Sequence, residues 1–228
     1  MKKTIVISLG GSLIIPEKIN FHFLHEFKSI LKRHFAKYKF VIVCGGGTIA
    51  RKYISALRKE GKSKRELAHA GIRATRMNAQ FIMQMFSRSE ANDTLPTTMK
   101  QIKSNLQKNN VVVCGALRFE PNSTSDGTAA KLAHYLKTDF INMTNVAGLY
   151  NKDPTKHKNA KFIPKISWKD FNSMISKIKF KAGQNFVLDQ NAAITIKKHK
   201  IKTYLIGSNK DLDKILKRKK VKGTLIEG

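Results

Sequence analysis

The chain is poor in cysteine, proline and acidic residues. It has two cysteines and five prolines in 228 residues, and 44 lysines and arginines against 15 aspartates and glutamates, for a formal charge of +29. Cys44 in VIVCGG and Cys114 in VVVCGA each close an apolar run just before a glycine, and neither belongs to a CxxC pair. Burial at strand ends is therefore expected, not a metal or redox centre. No apolar run approaches the roughly 18 residues needed to cross a bilayer, so no membrane partner is expected. The opening MKKTIVISLGGSLII has a charged start and an apolar stretch. Gly10 and Gly11 interrupt it and no small-residue cleavage site follows, so it reads as the first strand of a cytoplasmic protein. The basic charge is not gathered into one tract interleaved with aromatics. Lysines recur in nearly every segment, as in KKHKIKT and KILKRKKVKG. A lysine-rich solvated surface is the favoured reading, with salt-sensitive polyanion binding as a side effect and no specific nucleic-acid partner. There is no low-complexity linker and no internal repeat beyond an echo of strand and glycine.

That echo is what the chain does have. KTIVISLGGS (3–12), KFVIVCGGG (39–47) and NNVVVCGA (109–116) are β-branched apolar runs ending in glycine, as suits strands buried on both faces of a parallel sheet. Between the first two lies FHFLHEFKSILKRHF (21–35), where Leu24, Phe27, Ile30 and Leu31 share one helical face. Further helices are expected over 49–60, 74–88 and 126–137, and further strands over 139–146 and 201–208. Near-continuous β/α alternation predicts an α/β fold, a three-layer α/β/α sandwich around a mostly parallel sheet, in one continuous domain. Ligands then belong at the carboxyl ends of the strands, where the glycine turns lie. The polar, proline-punctuated stretch 151–168 is expected to be a long loop, either a mobile insertion over a site or an ordinary surface connection.

Gly-Gly turns after buried strands let a phosphate approach bare backbone N–H groups. LGGS (9–12) and CGGGTIAR (44–51) have this form, and with a third turn at Gly115 they suggest one phosphate-rich cleft. The spacing matches neither GxxxxGK[ST] nor GxGxxG. Arg51, one turn into the helix after the triple glycine, is either a solvated charge or a bidentate phosphate ligand, and the adjacent glycines favour the second. In PNSTSDGTAA (121–130), Thr124, Ser125 and Asp126 stand at a helix start, where capping and a catalytic role are compatible.

Taken in order, SLGGS, CGGGTIARKYI, AGIRATRMNA, PNSTSDGTAAKLA, TNVAGLYNKDP, KAGQNFVLD and KGTLIEG resemble the archaeal-type uridylate kinases of the amino acid kinase superfamily, from residue 4 nearly to the end. The resemblance implies the amino acid kinase fold, with an acceptor-binding lobe over roughly 1–138 and an ATP-binding lobe over roughly 139–228. It implies in-line transfer of the ATP γ-phosphoryl group to UMP, in pyrimidine nucleotide biosynthesis, with Mg²⁺ arriving on ATP and no dedicated protein metal site. By position it implies ATP contacts from Gly11, Ser12, Gly47, Arg51, Thr144, Tyr150 and Asp153. UMP contacts would come from Gly46, Pro121, Asn122, Ser123, Thr124, Ser125 and Arg76, with Arg73 near the acceptor side. Asp126 and Arg51 would be catalytic. The partners implied are ATP, UMP and further copies of the chain, in a homohexamer built as a trimer of dimers.

The chain departs from that pattern at three places. Ala68 and Ala147 stand where the family usually has aspartate, and GALRFEPNST is longer than the family's glycine-and-proline turn. These changes touch the acceptor side and the nucleotide loop. They leave two alternatives beside UMP: another small phosphate or carboxylate acceptor on the same fold, or a degenerate fold kept as a nucleotide sensor.

Overall fold

Alternation along the apolar runs decides the architecture. Ile5, Ile7 and Leu9 enter one buried cluster with Phe40, Ile42 and Cys44, whereas Val6, Val41 and Val43 enter another. Successive strand residues point to opposite faces, so runs this continuous require cover on both sides. The computed structural model describes residues 2–121, 123–152, 154, 157–177 and 188–228. The sites expected at Asn122 and Asp153, and most of KAGQNFVLD, lie outside those residues.

The elements run β1 (Lys3–Leu9), α1 (Gly11–Ile14), α2 (Phe21–Arg33), β2 (Tyr38–Cys44), α3 (Gly47–Lys59), α4 (Lys64–Gln84), α5 (Met99–Lys108), β3 (Val111–Cys114), α6 (Ser125–Tyr135) and β4 (Phe140–Met143). They continue with β5 (Leu149–Tyr150), β6 (Phe162–Ile163), β7 (Lys165–Ile166), α7 (Trp168–Ser176), α8 (Gln190–His199), β8 (Thr203–Ile206), α9 (Asn209–Leu216) and β9 (Gly223–Ile226). Seven strands form one sheet in the order β3-β2-β1-β4-β8-β9-β7, parallel except where β8 meets β9. Helices α2, α4 and α9 cover one face, and α5, α6, α7 and α8 the other. This is the expected three-layer α/β sandwich. Leu24, Phe27, Ile30 and Leu31 of α2 are all buried, as their spacing predicts. Cys44 and Cys114 are fully buried on opposite faces. Burial pushes both thiols up, Cys114 to about 12, so neither is a reactive thiolate.

The strand order places β1 between β2 and β4, so the chain runs outward in one direction and then in the other. The crevice at such a switch point opens at the carboxyl ends of the strands. Gly10 follows β1 and Thr144 follows β4, and the two exits are tied by Gly10 N–H donating to Met143 O at 3.0 Å.

Two expectations are corrected. The helix expected over 74–88 starts ten residues earlier, at Lys64. Ser63 and Glu66 form a reciprocal capping box there, which satisfies two orphan N–H groups at that end. The stretch 151–168 is not all loop: β6 pairs with β5, just before it, as a small antiparallel ribbon, and β7 joins the main sheet through β9.

Candidate active site

The glycine-bearing ends of β1 and β2 converge on a cavity of about 1280 Å³ at the carboxyl edge of the sheet, whereas the third expected turn, at Gly115, does not line it and packs against Thr75 and Arg76 of α4. Its floor is Gly10–Ser12 after β1 and Gly45–Gly47 after β2. These two turns pack backbone against backbone. A Cβ on Gly11 would lie 2.1 Å from the Gly47 nitrogen, and one on Gly47, whose φ is +59°, would lie 2.5 Å from the Gly11 carbonyl carbon. The glycines are therefore required by the contact between the turns, independently of any phosphate. Buried Asn78 of α4 fixes the second turn, its Nδ2 donating to Gly45 O at 2.7 Å.

Helix α3 starts at Gly47, so its first N–H groups, which no helix can satisfy internally, open beside the two turns. Arg51 lines the cavity one turn further on, and its guanidinium donates to Thr48 Oγ1 at 2.8 Å. Thr48 in turn donates to Pro16 O at 2.7 Å, which joins this helix start to the segment after α1.

The opposite wall is the start of α6. Thr124 is its N-cap and accepts from Asp126 N–H, and Ser123, Thr124, Ser125 and Asp126 all line the cavity. Pro121 lines it as well. Asp126 Oδ1 accepts from Ser8 Oγ at 2.7 Å, so β1 holds the carboxylate from below. Loss of hydration, and then the nearby Asp189 carboxylate, raise Asp126 from the usual 3.8 to about 7.

Asp189 is the hub of this wall. It is 1% exposed and caps α8 through Ala192 N–H at 2.7 Å. It also accepts from Thr124 N–H at 2.8 Å, Thr124 Oγ1 at 2.6 Å and Gly127 N–H at 3.2 Å. One buried carboxylate thereby locks the starts of α6 and α8 together.

The remaining rim comes from Thr144, Gly148 and Tyr150 after β4, and from α4 through Lys64, Ala68 and Thr75. Gly148 allows the loop to close on β9: a Cβ there would meet Thr224 Oγ1 at 2.7 Å, the oxygen that accepts from Leu149 N–H. Tyr150 packs edge-on against Phe162 across the β5/β6 ribbon. Ala147 is exposed and does not line the cavity. Among the described residues, Arg51, Arg58, Lys64, Arg118 and Lys152 line it against two carboxylates, Glu120 and Asp126, so the lining is basic. Glu120 is engaged by Lys131 and Arg118. No group of three or more potential metal-ligating side chains occurs among the described residues.

Residues 3–207 match the model of the amino acid kinase family. The chain belongs to the amino acid kinase family. This kinase-family chain is 36% identical to the uridylate kinase of Thermoplasma acidophilum, in an alignment covering 100% of it and 98% of the relative. It is 35% identical to the uridylate kinase of Archaeoglobus fulgidus, with 97% and 99% covered. The crystal structure of uridylate kinase from Archaeoglobus fulgidus superposes with a TM-score of 0.82 at 34% identity, covering 99% of this chain and 100% of that one. The UMP kinase from Ureaplasma parvum has a TM-score of 0.80 at 20% identity, a likeness of fold.

In this family member the structure gathers most of the residues singled out by sequence. Gly11, Ser12, Gly46, Gly47 and Arg51 line the cavity, as do Pro121, Ser123, Thr124, Ser125, Asp126, Thr144 and Tyr150. Arg73 and Arg76 do not. Arg73 is exposed. Arg76 donates from Nε to Ala116 O at 3.2 Å and from Nη2 to Leu117 O at 2.7 Å, which braces the loop after β3 from behind. Sequence reasoning missed Ser8 and Asp189. Ser8 could have been found as the lone hydroxyl near the end of an apolar strand. Asp189 had a signal too, an aspartate between FVL and the helical pattern QNAAITI.

Proposed function

We propose that this chain transfers the γ-phosphoryl group of ATP to UMP, making UDP for pyrimidine nucleotide biosynthesis. The observation that carries the reading is one basic cavity joining two packed glycine turns, the start of α3 and the start of α6 with Asp126. At about 1280 Å³ it exceeds the usual range for one small ligand and suits two nucleotides end to end. The full-length likeness to uridylate kinases supports the choice of acceptor.

The phosphate of UMP is already an ionised nucleophile, so the chain has no proton to remove. Its work is to hold two phosphates in line and to neutralise the charge that spreads over the transferred group. Gly11 and Ser12 would hold the terminal phosphates of ATP. Gly46 and Gly47 would lie between donor and acceptor, with the α3 N–H groups and Arg51 facing the charge. Thr144 and Tyr150 would flank the ATP nucleoside, with Asp153 as a further expected contact. Ser123, Thr124 and Ser125 would face UMP beside Pro121, and Asn122 would belong to the same acceptor loop. Arg76 acts on UMP through the loop it braces. The acceptor would lie on the lobe of roughly residues 1–138 and the ATP nucleoside on the lobe of roughly 139–228, with the ATP phosphates reaching across to Gly11 and Ser12.

Mg²⁺ carried on ATP fits the residues present, since Asp126 is the one cavity-lining carboxylate, among the described residues, without a cationic ion-pair partner. Mg²⁺ bound largely by phosphates and water needs about one such carboxylate. Bound there, it would supply charge neutralisation at the β- and γ-phosphates. Further copies of the chain, in a homohexamer arranged as a trimer of dimers, are the partners that the resemblance to uridylate kinases implies.

The test is UDP formation by the purified chain from ATP, Mg²⁺ and UMP, followed by ³¹P NMR. Activity in the parent that is lost in Arg51→Ala and Asp126→Asn, with the fold kept, is the expected outcome. Nucleotide binding without turnover in the parent would replace the enzyme by a sensor.

A further inference from the structure

We propose that Phe119, backed by the imidazole of His69, is the stacking wall for the pyrimidine ring of the acceptor. The proposal rests on the UMP kinase reading and names the residue that would make a base-bearing acceptor preferred.

Phe119 is a large aromatic that belongs to none of the three apolar clusters and instead lines the cavity, as Ala68 does. Behind it, His69 of α4 stacks at 5.8 Å between ring centroids and 26° between planes, within the range of offset aromatic pairs. His69 does not itself line the cavity, so the imidazole supports the ring from the far side.

The loop that carries Phe119 is anchored before and after it. Before it, Thr75 Oγ1 accepts from Ala116 N–H at 2.9 Å and Arg76 grips the Ala116 and Leu117 carbonyls. After it, Lys131 engages Glu120, and Asn191 Nδ2 donates to Pro121 O at 2.9 Å. The ring is held in place before any ligand arrives, which lowers the ordering cost of stacking.

Position 68 explains why such a wall would be useful. Ala68 lines the same cavity and brings no side-chain hydrogen-bonding group to it, and a flat apolar face supplies affinity that needs no directional partner. Stacking of a base on an aromatic side chain corresponds to roughly 5- to 150-fold in affinity.

The experiment is steady-state kinetics of Phe119→Ala, Phe119→Tyr and His69→Ala, with ribose 5-phosphate as a competitor that lacks the base. Phe119→Ala should raise KM for UMP about tenfold, leave kcat and KM for ATP within about twofold, and leave ribose 5-phosphate inhibition unchanged. Phe119→Tyr should restore the parent KM, and His69→Ala should give a smaller rise. An unchanged KM for UMP in Phe119→Ala, or an equal weakening of ATP or ribose 5-phosphate, would overturn the proposal. A parent that makes no UDP would remove the UMP reading and the wall with it. A fully active parent with an indifferent Phe119→Ala would remove the wall alone.

Discussion

Replacing Asp126 by asparagine should stabilise the nucleotide-free protein while removing its activity. Burial and the neighbouring Asp189 hold the carboxyl at about 7 instead of the ordinary 3.8. Because the folded-state value is raised, the benefit of the protonated form is complete below about pH 4 and is lost as pH climbs through about 7. At 1.36 kcal/mol per pH unit, the rise sets a ceiling of ~4 kcal/mol on the cost of ionised Asp126 above pH 7. The side chain is only partly buried, so the realised gain should be about 1–3 kcal/mol. Asparagine keeps an oxygen to accept from Ser8 Oγ and carries no charge to desolvate. Thermal melts in EDTA, without nucleotide, should therefore place Asp126→Asn several degrees above the parent at pH 8, with the difference vanishing near pH 4. Turnover with ATP and UMP should fall by roughly 10²–10³. A variant less stable than the parent at pH 8, or equally stabilised at pH 8 and pH 4, would refute the claim that this carboxylate is held at an electrostatic cost.

Other outcomes follow from the same geometry. Gly11→Ala places a methyl 2.1 Å from the Gly47 nitrogen, with backbone on both sides, so it should cost about 1–3 kcal/mol in chemical denaturation and depress turnover by parting the two turns. Asp189→Ala strips the acceptor from Thr124, Gly127 and Ala192, and should lose about 3 kcal/mol, with faster amide exchange at the starts of α6 and α8. Ala147→Asp alters an exposed position outside the cavity, so stability or assembly should move more than turnover. A large gain in kcat alone would show that position 147 acts in the chemistry.

The layers of the fold were legible because buried parallel strands leave long β-branched runs. Runs such as TIVISL and FVIVC carry their own signature, and glycine marks their exits. The short strands were not legible. Two-residue β5, β6 and β7 have no period to read, and β9 is defined by its antiparallel partner β8 rather than by its own composition. Helix α4 was read ten residues short because its first turns contain the small residues Ala68, Ala70 and Gly71, of which Ala70 and Gly71 pack against α3 through Ala50 and Ile54, and small residues show little amphipathic contrast.

The site divides in the same way. Residues contiguous in sequence, such as Gly45–Gly47 and Ser123–Asp126, could be found as motifs. Ser8 and Asp189 matter only because the sheet brings residue 8 under residue 126, and the α6·α8 contact brings residue 189 beside residue 124. The glycine turns were read as seats for phosphate. The structure adds that they must also fit each other, a constraint visible only once the two strands lie side by side.

The central claim is that the basic cavity serves phosphoryl transfer to UMP. A coupled assay of kcat/KM at fixed ATP and Mg²⁺ across UMP, CMP, AMP, isopentenyl phosphate, acetylglutamate and carbamate tests it most directly. UMP should exceed every other acceptor by at least about tenfold. UMP turned over no faster than CMP or AMP, or a clear preference for an acceptor without a nucleobase, would contradict it.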